Sequence, residues 1–139
     1  MNSVARILND GSNSDSDLRK LARNVRVRLT GIGSIYDLHT IQNTSKYIFL
    51  IHPKGTMSGH WVAAVVHKKI AFYFDSFGIP PPEQIVRALG HRQILYNSTQ
   101  IQALNQNHCG QFCVMFLKEV RSPKTFSDYL NQFHHINHM

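Results

Sequence analysis

Apolar positions in this 139-residue chain fall into blocks of two periods. Leu18, Leu21, Ala22 and Val25 recur at the three- and four-residue spacing of one helical face. A polar loop over 9–17, "NDGSNSDSD", precedes them, and Ser14 with Asp17 supplies a Ser-x-x-Asp start signal. The pattern predicts a helix opening near Asp15. Two glycines in "LTGIGS" (29–34) then break the periodicity. The apolar run "YIFLIH" (47–52) predicts a central strand covered on both faces. "HWVAAVVH" (60–67) and "IAFYFD" (70–75) predict two more, joined as a hairpin through Lys68-Lys69 without the usual Asn-Gly turn. "FGIPPPEQ" turns the chain, and Pro82 suits the first turn of a helix over 82–89. "RQILYN" (92–97) predicts a fourth strand. A helix follows from about Cys109 to Val120, and Pro123 opens a last one through Phe133. This order predicts an α+β fold, a small and largely antiparallel sheet flanked by helices. With no internal repeat or linker, residues 1–139 are expected to form a single domain.

Charge and cysteine content narrow the setting. The formal net charge is +7, and Arg6, Arg19, Lys20, Arg23, Arg26 and Arg28 crowd the first 30 residues. Such a surface attracts nucleic acid or acidic partners. No nucleic-acid motif accompanies it, so it equally describes a soluble basic protein with no specific partner. No apolar run approaches 18 residues, so no membrane span or membrane partner is expected. The first 20 residues lack a signal-peptide core. Cys109 and Cys113, four apart on one predicted helix, are poorly placed for a disulfide and make no zinc site alone. Reduced thiols and an intracellular location are expected. The tail "FHHINHM" is either a frayed terminus or a weak metal ligand; no resident metal is expected.

One of the two cysteines sits on a seam. In "QIQALNQNHCGQFCVMFL" (100–117) a polar, amide-rich run meets an apolar one at Cys109. A thiol attacks only as thiolate. Free N–H groups and the dipole at a helix N-terminus favour negative charge, which predicts a lowered pKa. Gly110 removes bulk where a substrate carbonyl would approach. The alternative is a cysteine that merely packs at a helix start. A thiolate nucleophile needs a histidine, and the histidine an orienting group. Of nine histidines, His60 opens a strand after "GTMSG" and precedes Trp61, near a sheet edge. His52 is followed by proline, His67 sits at the hairpin turn, and His108 adjoins Cys109 too closely along the chain. Hairpin pairing brings His60 near the strand end that carries Asp75. Asp75 is otherwise a turn cap before Ser76-Phe77-Gly78. The ordered set His60, Asp75, Cys109 excludes the papain order, in which cysteine precedes histidine.

"GHWVAAVV", "FYFDSFG" and "IQALNQNHCGQFCVMFL" together resemble the adenovirus maturation proteases (adenains) and their clan, which includes the SUMO and ubiquitin-like proteases. The likeness covers roughly residues 28–120, and its last block is the most specific. It implies an adenain/SUMO-protease type of fold in compact form. It also implies a cysteine endopeptidase with His60, Asp75 and Cys109 as triad. Gln102 and the Cys109 backbone N–H would form the oxyanion hole, with Asn105 at a further matching position. Trp61, Gly59 and Gly110 would line the cleft. Implied substrates are viral or mobile-element precursors cut after small or glycine residues. The alternatives are modifiers with Gly-Gly tails, or a non-catalytic nucleic-acid or modifier-binding domain on the same fold. The acid is aspartate, as in the SUMO-protease branch, and there is a single tryptophan where those enzymes commonly use two. The second cysteine that adenains use for a peptide cofactor has no counterpart, so no cofactor is expected, while the charge leaves room for DNA stimulation. A monomer in the host cytoplasm, nucleus or virion completes the expectation.

Overall fold

The structure, a computed structural model, describes residues 14–55, 59–101 and 108–133. Ser14 caps helix α1 (Asp15–Asn24), its Oγ accepting the Asp17 N–H at 3.1 Å. Leu18, Leu21, Ala22 and Val25 are buried, as the spacing predicts. The chain continues through β1 (Gly31–Ser34), a 3-10 turn (Ile35–Asp37), β2 (Thr44–Ile51), β3 (His60–His67) and β4 (Ile70–Phe74). Helix α2 (Glu83–Leu89), strand β5 (Gln93–Tyr96) and helices α3 (Cys109–Glu119) and α4 (Pro123–Asn131) complete it. At α4 the Ser122 and Thr125 side chains cap each other's backbone, with Pro123 in the first turn.

The sheet has five strands in the order β1-β2-β3-β4-β5. The pairs β2–β3 and β3–β4 are antiparallel, whereas β1–β2 and β4–β5 are parallel. The sheet is therefore mixed, where the pattern predicts a largely antiparallel one. Two physical causes account for the difference. β1 is four residues long with glycines at positions 31 and 33, so it carries almost no strand signal. β5 returns parallel to β4 because α2 lies in the connection and carries the chain back along the sheet. The β3–β4 hairpin closes with His67 opposite Ile70, and Lys68 takes a left-handed φ of 56° where glycine is usual.

Alternation along β3 feeds two cores. Trp61, Ala63 and Val65 join one face with Ile48, Leu50, Phe72 and Phe74, against α1, α3 and α4. Val62, Ala64 and Val66 join the other with Tyr47, Phe49 and Tyr73, against Ile85 and Leu89 of α2. Cover on both faces is why β2 and β3 read as apolar runs rather than as alternations. Helix α3 is buried continuously from Gly110 to Leu117, enclosed between the sheet and its neighbouring helices. Lys46 Nζ donates to Leu117 O at 2.7 Å and Lys118 Nζ to Val25 O at 2.9 Å, satisfying carbonyls at helix ends. His52 is structural. Its Nδ1 donates to Pro53 O, and Ser34 Oγ donates to its Nε2, pinning the end of β1 to the end of β2. No helix among the described residues is long and apolar enough to cross a membrane.

Candidate active site

The start of β3, the end of β4 and the start of α3 meet at one end of the sheet. His60 Nε2 lies 3.0 Å from Asp75 Oδ2. The carboxylate accepts, so Nε2 carries the proton and Nδ1 is the nitrogen left for exchange. Asp75 is fully buried, while the His60 side chain is 21% exposed. The other carboxylate oxygen, Oδ1, accepts the Phe77 N–H at 2.8 Å, and Gly78 N–H donates to Asp75 O at 2.8 Å. Asp75 thus holds a tight turn and orients His60 at once, so the two alternatives left open by the sequence coexist. Gly78 is required there: its φ is +74°, and a Cβ would stand 2.9 Å from the Gln100 nitrogen.

Asn97 clasps this turn from the end of β5. Its Oδ1 accepts the Asp75 N–H at 3.0 Å and its Nδ2 donates to Asp75 O at 2.7 Å. The Phe77 ring packs beside the imidazole at 5.0 Å between centroids. Sequence reasoning passes over Asn97, and it names Phe77 only as part of the turn after Asp75. The available signal for Asn97 is an amide placed directly after the run Ile94-Leu95-Tyr96.

Cys109 is the first residue of α3, partly exposed, and its Sγ accepts the Trp61 N–H at 3.4 Å. The residue after His60 therefore touches the thiol. The expected fall in thiol pKa is not what the surroundings produce. Burial pushes the Cys109 thiol up, and the Asp75 charge adds to this, while the N–H groups of Trp61, Gly110 and Cys109 pull it back only in part. Cys113, one turn deeper, is wholly buried and also held well above its ordinary value.

The expected cleft residues have packing duties too. A Cβ on Gly110 would stand 2.7 Å from Leu18 Cδ2 and 3.2 Å from Trp61 Cδ1, so the missing side chain is occupied by α1 and the indole. Trp61 itself is buried. A Cβ on Gly59 would stand only 1.8 Å from Ile51 O, so glycine lets β3 start close against the end of β2. Gln102 and Asn105 lie outside the described residues, as do most of the histidine-bearing tail and residues 56–58 of "GTMSG". The chain just before Gln102 is anchored at the site, since Ile101 N–H donates to Ser76 O at 2.8 Å. Gln111, in the first turn of α3, is fully buried with neither amide atom bonded to a described residue, a polar residue that the apolar run conceals. No cluster of His, Cys, Asp and Glu among the described residues is arranged to hold a metal.

These buried acids give the fold an alkaline limit. Cys109, Cys113, Tyr73 and Tyr129 are all raised, chiefly by burial. Unfolded, they ionise at about 8.5 for thiols and about 10 for phenols. Above that range the native state holds more protons than the unfolded state, so stability falls as pH rises. Each group ionised only in the unfolded chain contributes up to about 1.4 kcal/mol per pH unit. Urea midpoints measured between about pH 7 and pH 10 should decline, most steeply at the alkaline end; a level or rising midpoint would contradict the burial of these groups.

Comparison of the chain with protein-family models and with curated proteins finds no match.

Proposed function

We propose that the protein is a cysteine endopeptidase of the adenain/SUMO-protease type, acting by acyl transfer through Cys109. The observation that carries this reading is the joint placement at one sheet end. His60 is bound to the buried Asp75, and the N–H of the next residue, Trp61, is on the Cys109 sulfur. In the proposed reaction Cys109 Sγ attacks a scissile carbonyl and His60 Nδ1 takes the thiol proton. The thiol is held protonated by burial, so proton removal accompanies attack. His60 then protonates the departing amine, and water hydrolyses the thioester. Asp75 keeps the imidazole in the required tautomer and balances its charge. The Cys109 backbone N–H, with Gln102 as the proposed side-chain donor, would receive the oxyanion; loss of one such donor costs about 100-fold or more.

The substrates proposed are precursor proteins cut after glycine or another small residue, inside a cell or a virion. The test is labelling with a Gly-Gly vinyl sulfone and with a ubiquitin-type suicide probe, beside a precursor-cleavage assay. Wild type should be modified at Cys109 and should cleave, while Cys109→Ala should do neither. Reaction with the ubiquitin-type probe alone would move the substrate class to modifiers with Gly-Gly tails. Identical behaviour of wild type and Cys109→Ala in every assay would remove the protease reading.

A further inference from the structure

The end of the sheet away from His60 carries a cavity of about 450 Å³. β3 runs eight residues from His60 to His67, so at ~3.3 Å per residue its two ends lie about 23 Å apart. Val65 and Val120 lie buried beneath the recess. The methyls of the exposed Thr30 and Thr44, with the aliphatic stems of Arg28, Lys46 and Arg121, supply its apolar surface, and the same three side chains bring three cations to it. No described residue lining the cavity is acidic. Neither Arg28 nor Arg121 enters a salt bridge among the described residues. Lys46 is half-buried, and burial first, then the Arg121 charge, hold its ammonium below the ordinary lysine range. The Leu117 carbonyl takes one Lys46 ammonium proton and leaves two, and an anion here would relieve the repulsion between Lys46 and Arg121.

The geometry points to a binding site for a small organic phosphate, its phosphoryl group among Arg28, Lys46 and Arg121 and its ring or short chain against the Thr30 and Thr44 methyls and the aliphatic stems of the cations. The guanidinium forks match phosphate oxygens in pairs, and the lysine adds a point charge. The volume is that of small-molecule sites. A single-stranded polynucleotide follows an extended basic groove with aromatic stacking platforms, whereas no Phe, Tyr or Trp is among the described residues that line this recess. The site is separate from the chemistry proposed for Cys109 and stands or falls without it.

Isothermal titration calorimetry of the full chain with phenyl phosphate, in a buffer free of phosphate, tests the assignment. Saturable binding is expected, weakened roughly tenfold by Arg28→Ala and by Arg121→Ala. Inorganic phosphate and phenol, each carrying half of the ligand, should bind roughly tenfold or more weakly than phenyl phosphate. Both arginines are exposed, so equal melting temperatures of the unliganded variants will show that the fold is kept. Absence of saturation up to about 10 mM phenyl phosphate would overturn the proposal. So would affinity unchanged in both arginine variants, or inorganic phosphate binding as tightly as phenyl phosphate. Binding of a DNA duplex that the arginine variants lose and phenyl phosphate cannot displace would replace it with a nucleic-acid surface.

Discussion

Exchanging His60 for alanine is expected to slow acylation of Cys109 by about 10²–10⁴-fold while leaving the fold intact. The imidazole is the proposed acceptor of the thiol proton, and the thiol needs one because burial holds it protonated. With His60 gone, only water or hydroxide can take the proton. The rate in the variant should therefore climb with pH until the thiol itself titrates, while the wild-type rate levels off earlier. Single-turnover acylation across a pH series separates the two profiles. The side chain is 21% exposed and packs at the edge of the site, so its removal opens no deep cavity. Asp75 retains the Phe77 N–H and keeps its turn. A His60→Ala enzyme with wild-type rate at neutral pH would strip the imidazole of its role.

The largest expected loss of stability comes from Phe116→Ala. Phe116 is fully buried in α3, its ring stacked on Phe74 at 5.3 Å and met edge-on by Phe126 at 5.6 Å. Tyr129 adds a fourth ring at 5.9 Å. Truncation removes apolar area and leaves a void between a strand and two helices that cannot all close on it. The cost should be about 3–5 kcal/mol, a large fraction of the ~5–15 kcal/mol that holds a typical domain. Denaturant unfolding should show a lowered midpoint at nearly constant slope. Phe116→Leu, which keeps most of the volume, should cost less than half as much. A loss under about 1 kcal/mol for alanine would mean that the four-ring cluster is not a packed unit.

What the sequence makes legible here is what local chemistry decides. Ser14 caps α1 through the Asp17 amide, and β3 runs from His60 to His67, because cap and strand signals lie in a few adjacent residues. The contact of His60 with Asp75 follows from a hairpin, whose register is set by its own turn. β1 escapes notice because two of its four residues are glycine and its partner is distant in sequence. Asn97 escapes because its work is done on the backbone of a residue in another strand. The direction of the Cys109 shift depends on how deeply α1 and Trp61 cover the first turn of α3, which no periodicity reports. Gly59 and Gly110 look like openings along the chain, yet Ile51 and Leu18 occupy the space.

The enclosure of α3 on every side also fixes when its second thiol can be reached. Amides and side chains in the least exposed elements of a domain meet solvent only through its highest-energy openings. Cys113 lies in such an element, with no accessible surface. Its alkylation is consequently a clock for whole-domain opening, running beside Cys109, which reports the intact site from the same helix.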